Sequence, residues 1–110
     1  MKLLPSLKQK KRYIVFEIVT EEKFSFAEIK EEVEHNLLLF FGQLGLAKAV
    51  PVLLKEKFNF EKQRLVIKVN HKYVEELKAA LTLSKSIKKK PIIIKSIITS
   101  GTLKKASGYL

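Results

Sequence analysis

Residues 12–41 read RYIVFEIVTEEKFSFAEIKEEVEHNLLLFF, and this segment largely determines the fold class. Its first part, Arg12 to Val19, is rich in β-branched and aromatic residues, which is typical of a β-strand. Ser25 and Glu28 then have the spacing of a capping box, so a helix is predicted from about Phe26 to Phe41. The chain therefore opens with a strand that leads directly into a long helix.

That first helix is expected to place one apolar stripe against a core. The stripe is predicted at Ile29, Val33, Leu37, Phe40 and Leu44. Gly42 and Gly45 are the predicted stop signals at its C-terminal end.

The rest of the chain continues the alternation of strands and helices. Further strands are predicted at Ala49–Phe58, Arg64–Val69 and Ile92–Ile98, with a turn at Asn59 and a second helix, capped by Asn70, from about Lys72 to Ser86. This order predicts an α+β fold of the ferredoxin-like, RRM-like α/β sandwich type: a four-stranded antiparallel sheet (βαββαβ) with two helices on one face. We expect a basic N-terminal extension at 1–9, a single ferredoxin-like domain at 10–100 and a basic C-terminal tail at 101–110.

The net charge of +11 is concentrated at the two ends of the chain. Residues 1–16 and 77–110 contain no acidic group, whereas residues 17–76 hold nine basic and eleven acidic groups. The expected strand order, 4-1-3-2, would place the start of the first strand beside the end of the last and so bring the two basic segments together at one end of the sheet. Such a surface is typical of nucleic-acid binding, because each neutralised phosphate releases a counterion. A lysine-rich solvated surface, as in many thermophile proteins, is the alternative.

Nine basic residues are candidate RNA contacts on this hypothesis. Those in the two terminal segments are Lys8, Lys10, Lys11, Arg12, Lys104 and Lys105, and the further candidates are Lys68, Lys72 and Lys95.

The sheet face opposite the helices is expected to be open, and its apolar residues are candidates for a protein partner. Strand alternation assigns to it Tyr13, Val15, Val66, Ile93 and Ile97. Tyr13 is the only aromatic residue there, so base stacking in the manner of RNA-recognition motifs is not expected. Scattered surface aliphatic residues without a role are the alternative interpretation.

Residues for catalysis or metal binding are scarce. The chain has no cysteine and no aspartate, and its two histidines, His35 and His71, have no ligand partners at metal-site spacing. An autonomous enzyme is therefore not expected. The longest apolar run, Leu37 to Phe41, is too short to span a membrane, and a cytoplasmic protein is expected.

Four segments, in order along the chain, resemble one known family. They are KKRYIVFEI at 10–18, GQLGLA at 42–47, KVNHKYV at 68–74 and SGTLKK at 100–105. Together they resemble the archaeal ribonuclease P protein component 2 family, relatives of a eukaryotic Pop subunit of ribonuclease P.

The resemblance implies an RNA-binding, non-catalytic subunit of ribonuclease P, the ribonucleoprotein that removes the 5′ leader from precursor tRNA. In that family the RNA with bound magnesium performs the cleavage, and no cofactor is expected on the protein. The implied partners are ribonuclease P RNA, precursor tRNA, ribonuclease P protein component 3 and the other protein subunits, and no membrane. Self-association through Leu37–Phe41 stays open, as does the alternative that these residues simply pack in the core. Two alternatives also stay open: a ribosomal or other rRNA-binding protein of the same topology, and a protein-interaction domain without RNA.

Overall fold

The computed structural model describes residues 10–110 of the chain. The strands are β1 (Lys11–Val19), β2 (Val52–Leu53), β3 (Arg64–Asn70), β4 (Ser86–Ile87), β5 (Lys90–Pro91) and β6 (Ile93–Ser100). The helices are α1 (Phe26–Ala49), α2 (Val74–Thr82) and α3 (Leu103–Ser107), with single 3₁₀ turns at Lys55–Lys57 and His71–Tyr73. Lys8, one of the candidate RNA contacts, lies outside the described residues.

One antiparallel sheet has the strand order β2-β3-β1-β6. Val15 in the middle of β1 is opposite Val66 of β3 on one side and Ile98 of β6 on the other. The first and last long strands are therefore neighbours, as the sequence predicted. A bulge after Val15 inserts Ile97 into β6 and shifts the register there by one residue.

The main core lies between this sheet and helices α1 and α2. Alternate residues of β1 face it, and the three helix residues Ile29, Val33 and Leu37 fill it from α1. Leu77 and Leu81 complete it from α2. The predicted ferredoxin-like sandwich, with both long helices on one face of the sheet, is confirmed.

Helix α1 begins where the capping box predicted. The Ser25 hydroxyl accepts a hydrogen bond from the Glu28 amide at 3.2 Å, and the Glu28 carboxylate accepts one from the Ser25 amide at 2.9 Å. The carboxylate also lies near the positive end of the helix dipole. Hydrogen bonding from Ser25 to this carboxylate, first of all from the Ser25 backbone amide, is the main reason why the pKa of Glu28 is lowered.

The end of α1 differs from the prediction. Gly42 has φ 71° and ψ 174°, a conformation that only glycine adopts readily, but the helix resumes after it and ends at Ala49. The break changes the direction of the helix faces, so the predicted stripe does not continue. Phe40 and Leu44 are 42% and 72% exposed instead of buried, and Phe41 packs on the core.

The second strand and the second helix are shorter than predicted, and the segments that connect the main elements are longer and more varied. The second strand is reduced to Val52–Leu53, but the hairpin at Asn59 is confirmed, since Asn59 and Arg64 exchange backbone hydrogen bonds at 2.8 and 3.1 Å. Helix α2 ends at Thr82, before the predicted Ser86. A small hairpin of β4 and β5 comes after it.

The C-terminal segment, predicted as a tail, forms helix α3 on the second face of the sheet. Thr102 caps this helix by accepting a hydrogen bond from the Lys105 amide at 3.3 Å. Ala106 is fully buried and packs in a second apolar cluster with Val15 and Val66. The centre of the sheet is thus covered on both faces by the chain itself.

Within residues 10–110, every helix is too short or too polar to cross a lipid bilayer.

Candidate nucleic-acid interface

One end of the sheet gathers basic residues from three distant parts of the chain. Lys11 is opposite Asn70 at the end of β3, and Tyr13 is opposite Ser100 at the end of β6. The residues before β1, after β3 and after β6 therefore meet at this end. We call this set the terminal cluster; it consists of Lys10, Lys11, Arg12, His71, Lys72, Lys104 and Lys105.

Arg12 links the beginning of β1 to the segment that leads into α3. Its Nη1 lies 3.8 Å from where a Cβ on Gly101 would stand, so the guanidinium group passes close to that backbone. The same nitrogen donates a hydrogen bond to the Lys11 carbonyl oxygen at 3.1 Å. Arg12 and the lysines at 104 and 105 thus lie at the same end of the molecule.

His71 belongs to the cluster because its backbone is hydrogen-bonded to Lys10 and because cations of the cluster surround its imidazole. Its amide donates a hydrogen bond to the Lys10 carbonyl oxygen at 2.9 Å. Partial burial lowers the pKa of the His71 imidazole, and the positive charges of Arg12, Lys72 and Lys10 lower it further. The lowered pKa favours the neutral imidazole, in a local field that attracts a negative ligand.

The cations of the terminal cluster have no carboxylate partner within residues 10–110. The ion pairs of this part of the chain join Lys23 to Glu61, Lys78 to Glu75, Lys90 to Glu22, and both Arg64 and Lys95 to Glu17. None of these pairs includes a member of the cluster. Its cations, apart from the partly buried Lys11 and Arg12, are exposed to solvent. They can pair with a polyanion without breaking an internal ion pair.

Two candidate RNA contacts lie outside the cluster. Lys68 is directly opposite Tyr13 on the neighbouring strand β3. It is half-buried and lies one residue pair further into the sheet than Arg12 and its partner Val69. Lys95 lies in the other half of the sheet, where its Nζ is 4.0 Å from a Glu17 carboxylate oxygen. A contact from Lys95 to the same ligand would therefore require a larger footprint than the cluster itself.

The prediction of an open sheet face for a protein partner is wrong at its centre. Val15 and Val66 have no exposed surface, because the small Ala106 side chain allows α3 to lie close over them. Tyr13 and Ile97 pack at the edges of the same cluster and are half-buried. Only Ile93, at the far end of β6, is largely exposed, at 65%.

An apolar surface occurs instead around the break in α1. Its exposed side chains are Leu38, Leu39, Phe40, Leu44 and Val50. Next to them is a groove of about 400 Å³ lined by Glu34, Leu37, Leu38, Leu46, Val50 and Pro51. The sequence carried a signal for this surface, since five consecutive apolar residues on one helix cannot all face the same core.

The chain matches one protein family over nearly its whole length. The sequence pattern of the Rpp14/Pop5 family matches residues 12–110. The chain belongs to this family. Among individual relatives, it is 39% identical to ribonuclease P protein component 2 of Pyrococcus furiosus and 38% identical to that of Thermococcus kodakarensis. Each alignment covers 94% of this chain and 84% of the relative.

One more archaeal relative and one solved structure also align with most of this chain. Ribonuclease P protein component 2 of Methanocaldococcus jannaschii is 33% identical over 94% of this chain and 75% of the relative. A chain in the cryo-EM structure of yeast ribonuclease MRP superposes with a TM-score of 0.66 at 13% identity, over 87% of this chain and 77% of that one. At this identity the likeness concerns the fold.

Proposed function

We propose that this chain is a protein subunit of ribonuclease P, and that it binds the RNA of that complex through the terminal cluster. One observation supports the RNA contact above all: cations from three distant segments converge at one end of the sheet, and no carboxylate among residues 10–110 pairs with them. Membership of the Rpp14/Pop5 family, with relatives named ribonuclease P protein component 2, supports the choice of complex. The process served is the removal of the 5′ leader of precursor tRNA.

We assign an accessory role to the protein and the cleavage to the RNA, with its magnesium. The chain has no aspartate or cysteine, and residues 10–110 contain no group of three or more histidine and glutamate side chains placed to hold a metal ion. The terminal cluster supplies cations without a general base or nucleophile beside them, apart from one histidine of lowered pKa. The terminal cluster is therefore suited to neutralising RNA phosphates and stabilising the folded RNA.

For a protein neighbour, which the family likeness implies to be ribonuclease P protein component 3, we propose the apolar surface of α1. This surface replaces the sheet face in that role, because α3 covers the sheet. Leu39 and Leu44, each more than 70% exposed, are unusual for a chain of this charge unless a partner covers them.

Identification of the RNA that co-purifies with the chain from its source cells tests the proposed function. Affinity-tagged chain should recover ribonuclease P RNA, whereas a Lys10→Ala/Lys11→Ala/Arg12→Ala variant should recover much less of it. A Lys30→Gln/Lys62→Gln variant is the control, because it removes two exposed lysines outside the cluster. Recovery of ribosomal RNA alone would support a ribosomal protein and contradict the proposal.

A further inference from the structure

A second group of lysines lies on the hairpin between α2 and β6. Strands β4 and β5 pair through Ser86 with Pro91 and Ile87 with Lys90, which leaves a loop of two residues, Lys88 and Lys89. Ile87 is buried and anchors the hairpin to the main core, while the amide of Ile92 donates a hydrogen bond to the carbonyl oxygen of Lys85 at 3.0 Å. We call the exposed residues Lys85, Lys88, Lys89 and Lys90 the lysine hairpin.

The loop holds its two lysines in an unfavourable backbone conformation. Lys88 has φ 51° and Lys89 has φ 68°, which is the pattern of a type I′ turn. Turns of this type favour Asn-Gly, because side chains with a Cβ are strained at positive φ. A loop that served only to connect two strands would gain stability from those residues. The two lysines are therefore best explained by a role at the tip of the hairpin.

The charges at this tip are mostly unpaired. Lys90 forms an ion pair with Glu22. Within the described chain, Lys85, Lys88 and Lys89 form no ion pair, although Lys88 contributes slightly to the lowered pKa of Glu28, whose main cause is hydrogen bonding from Ser25. The side chain of Ile87 is buried in the core, so the two loop residues present charge and no apolar side chain, and the exposed Val19, Leu83 and Ile93 lie outside the loop. Protein interfaces are depleted in lysine and usually have an apolar centre, so this tip suits a phosphate backbone better than a protein.

The position of the hairpin separates it from the terminal cluster. Val19 at the end of β1 is opposite Ile93, two residues after Pro91, whereas Lys11 at the beginning of β1 belongs to the terminal cluster. Strand β1 has nine residues, and at about 3.3 Å per residue its ends are roughly 26 Å apart. At the axial rise of about 3.4 Å per base pair of B-form DNA, this distance corresponds to about eight base pairs, and the more compact A-form RNA helix needs a few more.

We propose that the lysine hairpin is a second contact for the RNA backbone, so that the chain bridges two phosphate segments of one RNA helix. This inference rests on the proposed function, because it assumes that the terminal cluster holds the first segment. It adds Lys85, Lys88 and Lys89 to the RNA-binding residues, and it makes the length of the RNA helix a determinant of affinity.

A Lys88→Asn/Lys89→Gly variant tests the inference, because it removes two charges and supplies the residues that the turn prefers. Its Tm should equal or exceed that of the unchanged chain, which shows that the fold is intact. The slope of log Kobs against log salt concentration, measured with ribonuclease P RNA, should become shallower by up to about 1.8, or about 0.9 for each phosphate that is no longer neutralised. The Lys30→Gln/Lys62→Gln variant should leave that slope unchanged.

Two RNA hairpins, with stems of about 5 and about 16 base pairs, provide the second readout. The variant should lose affinity for the long stem and keep its affinity for the short one, which is too short to reach both sites. Equal slopes and equal affinities on both stems would overturn the inference, as would a loss of binding to a protein subunit with RNA binding unchanged. If Lys10→Ala/Lys11→Ala/Arg12→Ala alters RNA binding while the hairpin variant does not, only this inference fails. If the unchanged chain does not bind the RNA, the proposed function fails.

Discussion

His71 shows how one residue reports on the charge of its surroundings. It is half-buried, its backbone is tied to Lys10, and its pKa is lowered by burial and then by the cations Arg12, Lys72 and Lys10. A histidine with a lowered pKa in the folded state is protonated more readily in the unfolded chain. Its contribution to stability is therefore present above the unfolded pKa of about 6.5 and decreases as the pH falls below it.

A bound phosphate should reverse this shift of the His71 pKa. A negative group at the terminal cluster stabilises the imidazolium form, so RNA binding should raise the pKa of His71 and should strengthen as the pH falls from about 7 to about 5.5. NMR titration of the imidazole protons, with and without RNA, measures this directly. His35, which is exposed on α1, is the only other histidine, and a His35→Gln variant identifies which imidazole signals belong to His71. The same His71 pKa with and without RNA would show that no phosphate binds beside it.

Gly42 is the residue that shapes the apolar surface of α1. No atom lies within 4 Å of a Cβ built at this position, so only the backbone conformation opposes a side chain there. The sequence indicated a stop at this glycine. It did not indicate that the helix resumes, because the conformation of one glycine depends on how residues 43–49 pack.

Replacing Gly42 by alanine should destabilise the fold through the backbone alone. The expected decrease in the free energy of unfolding is about 1–3 kcal/mol, the usual strain for such a conformation. Gly108→Ala is the matched control, since Gly108 has φ −66° and alanine should stabilise it by about 0.4–1 kcal/mol. Urea denaturation measures both. Equal effects of the two substitutions would contradict the role assigned to the Gly42 backbone.

Among the elements of the fold, the sequence predicted the long strands and helices better than the short ones. The strand β1 and the beginning of α1 carry strong local signals, in the β-branched residues and in the capping box, and tertiary packing agrees with both. Helix α3 has only five residues, too few to show a periodic pattern, and the residue that it buries is an alanine. Helix α3 lies over the sheet because it buries Val15 and Val66, which would otherwise be exposed to solvent.

A larger side chain at position 106 should therefore disturb the second face of the sheet. Ala106→Leu is expected to lower the free energy of unfolding by about 1–3 kcal/mol, because the space between α3 and β1 is already filled. Lys104→Leu on the exposed side of the same helix should change it by less than about 0.5 kcal/mol. Hydrogen exchange in the Ala106 variant should also become faster at the amides of α3. Unchanged stability of that variant would mean that α3 does not pack on the sheet.

For the whole molecule, the candidate site follows from topology as much as from composition. The sequence predicted that the basic ends would meet, because neighbouring antiparallel first and last strands leave no other arrangement for residues 10–12 and 104–105. His71 as a member of the cluster and the lysine hairpin were not predicted. Both depend on loop conformations, which are set by the packing of distant residues such as Ile87 rather than by local pattern.

The overall charge then has a simple spatial arrangement. Acidic groups are confined to the middle of the chain, where several form ion pairs, and the terminal cluster and the lysine hairpin lie at opposite ends of the sheet. The apolar surface of α1 uses other residues than either, and its C-terminal end adjoins the terminal cluster, since the Asn70 side chain donates a hydrogen bond to the Lys48 carbonyl oxygen at 3.3 Å. In the proposed function, RNA and a protein subunit therefore bind to different residues of one small domain.

The salt dependence of RNA binding tests whether the terminal cluster binds the RNA backbone. Affinity for ribonuclease P RNA should be measured across salt concentrations for the unchanged chain, for Lys10→Ala/Lys11→Ala/Arg12→Ala and for the control Lys30→Gln/Lys62→Gln. The triple variant should show a slope shallower by about 0.9 for each phosphate that it fails to neutralise, up to about 2.7, and the control a slope equal to that of the unchanged chain. Three parallel lines would show that the cluster does not bind the RNA.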